Sequence, residues 1–127
     1  MSMTRVHTDD APAAIGPYSQ GYVAGDFLFT AGQVPFDPAT GETVGEDIAT
    51  QTERAMTNLM AIVSEAGATP DQVVKTTCYL ADMGDFAAFN EVYERFVPSK
   101  PARTCVAARE LPRGVLCEIE AVVYLGK

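Results

Sequence analysis

A chain of 127 residues is long enough for one domain with a hydrophobic core, and we treat residues 1–127 as a single unit. Its composition, 47% hydrophobic and 20% charged, excludes a disordered chain, and its apolar runs are far shorter than the about 20 residues of a transmembrane helix. The net charge of −8 disfavours nucleic-acid binding, and the polar N-terminus without an apolar signal core favours a cytoplasmic protein.

The first half of the chain predicts three strands followed by a helix. Strands are expected over 4–7, 18–23 and 27–31, and the turn Ala24-Gly25-Asp26 joins the last two into a hairpin. A helix is expected over 47–66, where apolar side chains recur at three- and four-residue steps. Asp47 is placed to cap its start and Gly67 to end it.

The second half predicts a strand over 73–80, a helix starting near residue 85, and strands over 102–107 and 117–125. The aromatic residues of this helix recur at helical spacing and are expected in the core; they are Phe86, Phe89, Tyr93 and Phe96. The order β-β-β-α-β-α-β-β predicts an α+β fold, with a six-stranded mixed sheet and two helices packed on one face.

The other face of this sheet needs a cover as well. Apolar residues occupy both faces of the segment 27–34, and the sequence offers no third helix. A partner subunit is the natural cover, so we expect an oligomer.

Metal and triad chemistry find little support in the sequence. Three cysteines at long spacings (Cys78, Cys105 and Cys117) and a single histidine, His7, do not form a zinc pattern. A glycine-rich nucleotide motif is also missing, so nucleotide cofactors have no support in the sequence either.

The segment Pro101-Ala102-Arg103-Thr104-Cys105 is the strongest candidate for a site. In a strand, Arg103 and Cys105 point to the same face, and a guanidinium matches a carboxylate with two parallel hydrogen bonds. The alternative is an ordinary surface arginine that pairs with one of the 17 acidic residues, and residue chemistry alone favours that alternative. Glu118 likewise reads as either a solvated carboxylate or a general base.

Several ordered motifs nevertheless resemble the RidA family, also called YjgF or L-PSP endoribonuclease-like proteins. The matching segments are Ala13-Ala14-Ile15-Gly16-Pro17-Tyr18-Ser19-Gln20-Gly21, Thr30-Ala31-Gly32-Gln33-Val34-Pro35, Val74-Lys75-Thr76-Thr77, Phe89-Asn90, Pro101-Ala102-Arg103-Thr104-Cys105-Val106 and Glu118-Ile119-Glu120-Ala121. They run through nearly the whole chain in the family's order.

The resemblance implies a chorismate-mutase-like fold and a homotrimer with clefts between subunits. The implied activity is that of a 2-iminobutanoate/2-iminopropanoate deaminase, a hydrolase that converts enamine or imine intermediates such as 2-aminoacrylate to 2-oxo acids and ammonia without a cofactor. Its alternatives are a non-catalytic protein that binds small carboxylates, or a translation-inhibiting endoribonuclease.

The same resemblance assigns roles to individual residues. Arg103 would pair with the substrate carboxylate, and Glu118 would orient the attacking water. Tyr18, Gly32 and Asn90 would line the cleft, and Cys105 would contribute its backbone.

One departure concerns residue 31, where many deaminase-type members carry serine. Ala31 lacks that hydroxyl, so we expect an altered substrate preference or binding weakened by ~1 kcal/mol.

Overall fold

The computed structural model describes residues 3–126, which form six strands and two helices in the predicted order. The strands are β1 (Met3–Val6), β2 (Gly21–Ala24), β3 (Phe27–Thr30), β4 (Val73–Leu80), β5 (Ala102–Ala107) and β6 (Cys117–Tyr124). The helices are α1 (Ile48–Glu65) and α2 (Phe86–Phe96). The predicted α+β class and element order are therefore confirmed.

All six strands belong to one mixed sheet in the order β1-β2-β3-β6-β4-β5. Every pair is antiparallel except β4 and β5, which are parallel and are connected through α2. The C-terminal strand β6 thus lies at the centre of the sheet, between β3 and β4. The strand β5, which carries Arg103 and Cys105, lies at one edge.

The helix α1 follows the predicted cap and stripe closely. The Asp47 carboxylate accepts a hydrogen bond from the Thr50 amide at 3.0 Å, which satisfies one of the free N–H groups at the helix start. Gly67 follows the helix with φ 84°, a left-handed conformation that glycine adopts without steric cost.

Both helices pack on one face of the sheet, as predicted. Alternate residues of β6 point into this core: Cys117, Ile119 and Val123 are fully buried. Leu59 and Ile62 of α1 are fully buried as well. The residues between them on β6, including Glu118, consequently point to the opposite face.

That opposite face lacks a covering element within residues 3–126. Phe29, Phe27 and Tyr124 project from it, and 48% of the Phe29 surface remains exposed. Phe27 packs against Phe29 and Tyr124, with ring centroids 6.5 and 5.4 Å apart. An apolar sheet surface of this kind is typical of an interaction site, in keeping with the expected partner subunit.

Four strands differ from their predicted bounds by one to three residues, and the first two differ in ways that bear on the site. The first strand ends at Val6, so His7 lies outside it, exposed and 3.0 Å from the Asp9 carboxylate. The second strand begins at Gly21 rather than residue 18, because the Tyr18 amide donates to the Gly16 carbonyl in a tight turn. Tyr18 therefore belongs to the loop that precedes β2.

Candidate functional site

Arg103 projects from the edge strand β5 toward helix α2, on the helix face of the sheet. Its Nη1 donates to the Asn90 side-chain oxygen at 2.6 Å. The strand follows Pro101, and Arg103 and Cys105 are both half-buried on the same face, as strand alternation predicted. The Asn90 contact brings together two residues that the family resemblance had placed in one cleft.

Two aromatic rings hold the guanidinium of Arg103. Its Cζ lies 5.3 Å from the centroid of the Phe86 ring and 4.9 Å from that of Tyr93. Both distances are within the range of a cation–π interaction. Phe89 and Tyr93 are buried, as predicted for core aromatics, yet Tyr93 and the half-buried Phe86 also shape the surroundings of Arg103.

The alternative in which Arg103 pairs with an acidic residue is wrong for this chain. Although the sequence holds 17 acidic residues, the sole ion pair among side chains of residues 3–126 joins His7 and Asp9. Arginine carries five N–H donors, and the Asn90 contact uses one of them. Arg103 also helps to line a cavity of about 350 Å³, together with Asn90, Tyr93 and Lys100.

Cys105 lies two residues further along β5, packed against the edge of the core. Burial raises the pKa of its thiol, while the nearby Arg103 guanidinium acts in the opposite direction with a smaller effect. A thiol with a raised pKa is a poor nucleophile near neutral pH. This agrees with a backbone contribution from Cys105 rather than attack by its sulfur.

Glu118 lies on the opposite face of the sheet, directly against Gly32. A Cβ atom added to Gly32 would collide with the Glu118 carboxylate, so the bare glycine backbone makes room for this side chain. Glu118 is half-buried. Burial raises the pKa of its carboxyl group above the usual range, and the neighbouring Glu120 carboxylate adds to the rise. Glu118 is thus not the fully solvated carboxylate that one of its two interpretations required.

Tyr18 and Gly32 line a second cavity of about 460 Å³, together with Ile15, Phe36 and Arg113. The Arg113 guanidinium lies 4.2 Å from the Phe36 ring centroid and donates to the Gly41 carbonyl at 2.6 Å. More than half of the Tyr18 surface is exposed, so this tyrosine is not part of the core.

The six predicted site residues therefore fall into two groups within one chain. Arg103, Asn90 and Cys105 lie near α2 on the helix face, whereas Glu118, Gly32 and Tyr18 lie on the other side of the sheet or at its loops. The strand β4 separates the two groups at the level of the sheet.

Buried amides that sequence reasoning missed hold the loops around the Tyr18 cavity. The Gln20 side chain accepts from the Thr8 amide at 2.7 Å and donates to the Pro12 carbonyl at 2.8 Å. Asn58 donates from α1 to the carbonyls of Val34 and Phe36, both at 2.9 Å. The available signal was a polar residue within the apolar stripe of α1, since an amide there must find partners.

Two further observations concern residues 3–126 only. Within this range, none of the helices combines the length and the apolar character needed to cross a membrane. Within the same range, His, Cys, Asp and Glu side chains do not cluster in threes that could hold a metal ion.

Comparison with known proteins connects this arrangement with a family. The family model described as Endoribonuclease L-PSP matches residues 8–125. A RutC family protein of Pyrococcus abyssi is 52% identical over 125 residues, covering 98% of each chain.

Two Escherichia coli crystal structures share the fold. The YjgF gene product superimposes with a TM-score of 0.90 at 42% identity, covering 95% of this chain and 98% of its own. TdcF with bound serine gives 0.91 at 40% identity, again covering 95% and 98%. Because the family model and the relatives span nearly the whole chain, the protein belongs to the L-PSP family, the RidA/YjgF family that its motifs resemble.

Proposed function

We propose that this protein hydrolyses reactive enamine and imine intermediates, such as 2-aminoacrylate, to 2-oxo acids and ammonia. The observation that carries the proposal is the Arg103 guanidinium. It is fixed by Asn90 and two aromatic rings, lies beside a cavity, and lacks an acidic partner among residues 3–126. In a protein of net charge −8, such an arginine suits an external carboxylate.

The chemistry requires little beyond positioning and one base. A protonated imine carbon is already electrophilic, so water adds to C2 while the Glu118 carboxylate accepts its proton. That proton passes to the nitrogen. The C2–N bond then breaks as the Glu118 carboxylate takes the hydroxyl proton, which gives the 2-oxo acid and ammonia. Glu118 returns to its ionised form when it passes that proton to the departing ammonia. Arg103 holds the substrate carboxylate throughout, and this restricts the geometry of attack.

The raised pKa of Glu118 supports the role of base. A carboxylate that is easier to protonate accepts a proton from water more readily than an exposed one. Gly32 supports the same role, because a side chain at this position would displace the Glu118 carboxylate from its place against the backbone.

We further propose a homotrimer in which adjacent subunits complete each site. Arg103 and Glu118 project from opposite faces of one sheet, so a single chain does not direct both at one ligand. The uncovered apolar face around Phe29 supports association of the sheets. In such an assembly the Arg103 group of one subunit meets the Glu118 group of the next.

The direct test generates 2-aminoacrylate enzymatically and follows release of pyruvate. We expect acceleration over buffer, and Arg103→Ala should abolish it. The matched control is Arg109→Ala, which removes an exposed arginine two residues beyond the end of β5. Turnover equal to buffer, or equal activity in Arg103→Ala, would defeat the proposal.

A second candidate function is binding of small acids without catalysis. The TdcF structure contains serine, an amino acid whose carboxylate would suit Arg103 equally well. This alternative predicts that 2-oxo or amino acids bind to the wild-type protein and lose affinity in Arg103→Ala, while imine turnover stays at the level of buffer.

A further inference from the structure

Tyr93 contacts three different parts of the structure around Arg103. The tyrosine is buried, and its hydroxyl oxygen lies 2.6 Å from the hydroxyl of Thr76, a fully buried residue of β4. Its ring stacks on Phe89 with centroids 5.5 Å apart and an interplanar angle of 26°. The other contact of the ring is the Arg103 guanidinium, at 4.9 Å.

The register of β4 and β5 places the partners of Tyr93 next to each other. Thr76 of β4 pairs with Arg103 of β5 in the parallel ladder, so both side chains stand next to each other on the helix face. Tyr93 projects from α2 toward this pair. Its hydroxyl hydrogen-bonds with Thr76, and its ring packs against the Arg103 guanidinium. The hydroxyl therefore fixes the ring relative to the strand that carries the guanidinium.

A core aromatic could fill this space without a hydroxyl. The neighbouring Phe89, which carries no hydroxyl, is fully buried in the same core. The hydroxyl of Tyr93 has one partner among the described side chains, Thr76, and burial raises the pKa of this hydroxyl above its usual value. A buried hydroxyl pair of this kind ties the far end of the ring to β4 and opposes displacement of the ring along the sheet.

We propose that Tyr93 is a positioning residue for Arg103: its hydroxyl, held by Thr76, fixes the ring on which the guanidinium lies and so presets the remaining N–H donors for a carboxylate. Asn90 fixes one edge of the guanidinium through Nη1, and the Tyr93 ring fixes its plane. A preset arginine loses less conformational freedom when a ligand binds than a mobile one does. The inference rests on the proposed carboxylate site but does not require that the site be catalytic.

The test removes either hydroxyl and measures binding of a charged and an uncharged probe by calorimetry. The probes are 2-oxobutanoate and 2-oxobutanamide, which differ in the carboxylate alone. Tyr93→Phe and Thr76→Val should each weaken binding of the acid about two- to tenfold, the cost of ordering one side chain, and leave amide binding unchanged. The matched control is Thr52→Val, which removes another fully buried hydroxyl, near Cys117 in the α1 core.

A merely structural role would lower binding of both probes together, and that result would overturn the inference. A second readout does not depend on any ligand. The ¹⁵N relaxation of the Arg103 Nε–H group should report a more mobile side chain in Tyr93→Phe and Thr76→Val than in the wild-type protein and Thr52→Val. Unchanged mobility in both variants would also overturn it, even if the wild-type protein binds neither probe.

The outcomes separate this inference from the proposed function. Suppose that the variants lose acid binding selectively and that the wild-type protein does not accelerate imine hydrolysis over buffer. This result would reject the deaminase and leave the role of Tyr93 intact. Imine turnover with an unchanged preference for acid over amide in Tyr93→Phe would support the deaminase and reject the role of Tyr93.

Discussion

Arg103 and Glu118 point away from each other, from opposite faces of the same sheet. Arg103 packs on Asn90 and Tyr93 of α2, whereas Glu118 lies against Gly32 on the face that the helices leave uncovered. The sheet backbone lies between the two charges, with β4 separating their strands. Joint action on one small ligand therefore requires residues from two copies of the chain.

This relationship predicts complementation between two inactive variants. Arg103→Ala and Glu118→Gln should each lack imine turnover, but mixed oligomers would contain sites that combine the intact arginine of one subunit with the intact glutamate of the next. Random exchange of equal amounts should restore about a quarter of the sites of a cyclic homotrimer.

The measurement is pyruvate release after the two variants are unfolded and refolded together, with subunit mixing verified by native mass spectrometry. The control carries both substitutions on one chain and is refolded with Glu118→Gln; it should stay inactive, because every intact glutamate is then missing. Complete mixing without any recovered activity would contradict a shared site.

A second prediction concerns the uncovered apolar face itself. Phe29→Glu places a charge at the centre of this face, and its burial against a partner would be costly, so the variant should dissociate to a monomer. Thr57→Glu adds the same charge to an exposed position of α1 and should leave the assembly unchanged. Light scattering at micromolar concentration distinguishes the two states. A monomeric wild-type protein would reject both this prediction and the shared site.

Sequence periodicity predicted the helices, the strands and the α+β class, but neither the order of the strands in the sheet nor the pairing of the site residues. The repeats that predict α1 and β6 record which side chains are buried, and burial follows directly from the packing of helices on a sheet. Alternation within β5 likewise predicts that Arg103 and Cys105 share a face. Whether Arg103 and Glu118 lie on the same face of the sheet depends on how β5 and β6 each pair with β4. This register cannot be predicted from the sequence of either strand alone.

The partners of Arg103 could not be predicted from the local sequence pattern either. Asn90 and Tyr93 precede it by 13 and 10 residues on a helix whose aromatic spacing indicated the core. Their second contribution, to the guanidinium, arises only because the crossover from β4 to β5 places α2 over the sheet edge. The family motifs placed Asn90 in the cleft without that geometry, but they gave Tyr93 no role there.

A third prediction uses the close approach of Gly32 to Glu118. Gly32→Ala should displace the Glu118 carboxylate and lower kcat/KM at least about tenfold, since small shifts of a base cost large factors in rate. The contrasting variant is Gly25→Ala in the β2–β3 turn, where φ is 61° and the space around the added methyl is open.

Gly25→Ala should lower the free energy of unfolding by about 1 kcal/mol, the cost of a left-handed non-glycine residue, without loss of activity. Denaturant unfolding and kinetics on the same samples separate the two effects. Full activity in Gly32→Ala would show that the position of Glu118 does not matter for turnover.

A fourth prediction follows from the raised pKa of Glu118. The ionised carboxylate acts as the base, so activity should fall as the pH drops through this pKa, and the fall should begin above the pH expected for an exposed glutamate. Burial is the larger cause of the rise and the Glu120 carboxylate the smaller.

Glu120→Gln removes the smaller cause and should move the acidic limb of the kcat/KM profile to lower pH while the plateau remains. Glu53→Gln is the matched control, because Glu53 is an exposed carboxylate on α1. An identical acidic limb in Glu120→Gln and wild type would exclude Glu118 as the group that titrates.

The last prediction concerns the three thiols, which the fold places in different environments. Burial raises the pKa of Cys78 and Cys117 to about 12, and both are inaccessible in the core. Cys105 is half-buried and has a smaller rise, moderated by Arg103. Iodoacetamide should therefore modify Cys105 first in the native protein, and more slowly than a free thiol, because the thiolate is the reactive form.

Cys105→Ser should lose this modification and keep most of the imine turnover, since serine preserves the backbone of β5 and nearly the same volume. Mass spectrometry of native samples identifies the alkylated residue, and kinetics on the serine variant measures turnover. A serine variant as inactive as Arg103→Ala would instead assign the thiol itself a part in the reaction. Retained turnover would confine the role of Cys105 to the backbone and leave Arg103 as the side chain of β5 on which the reaction depends.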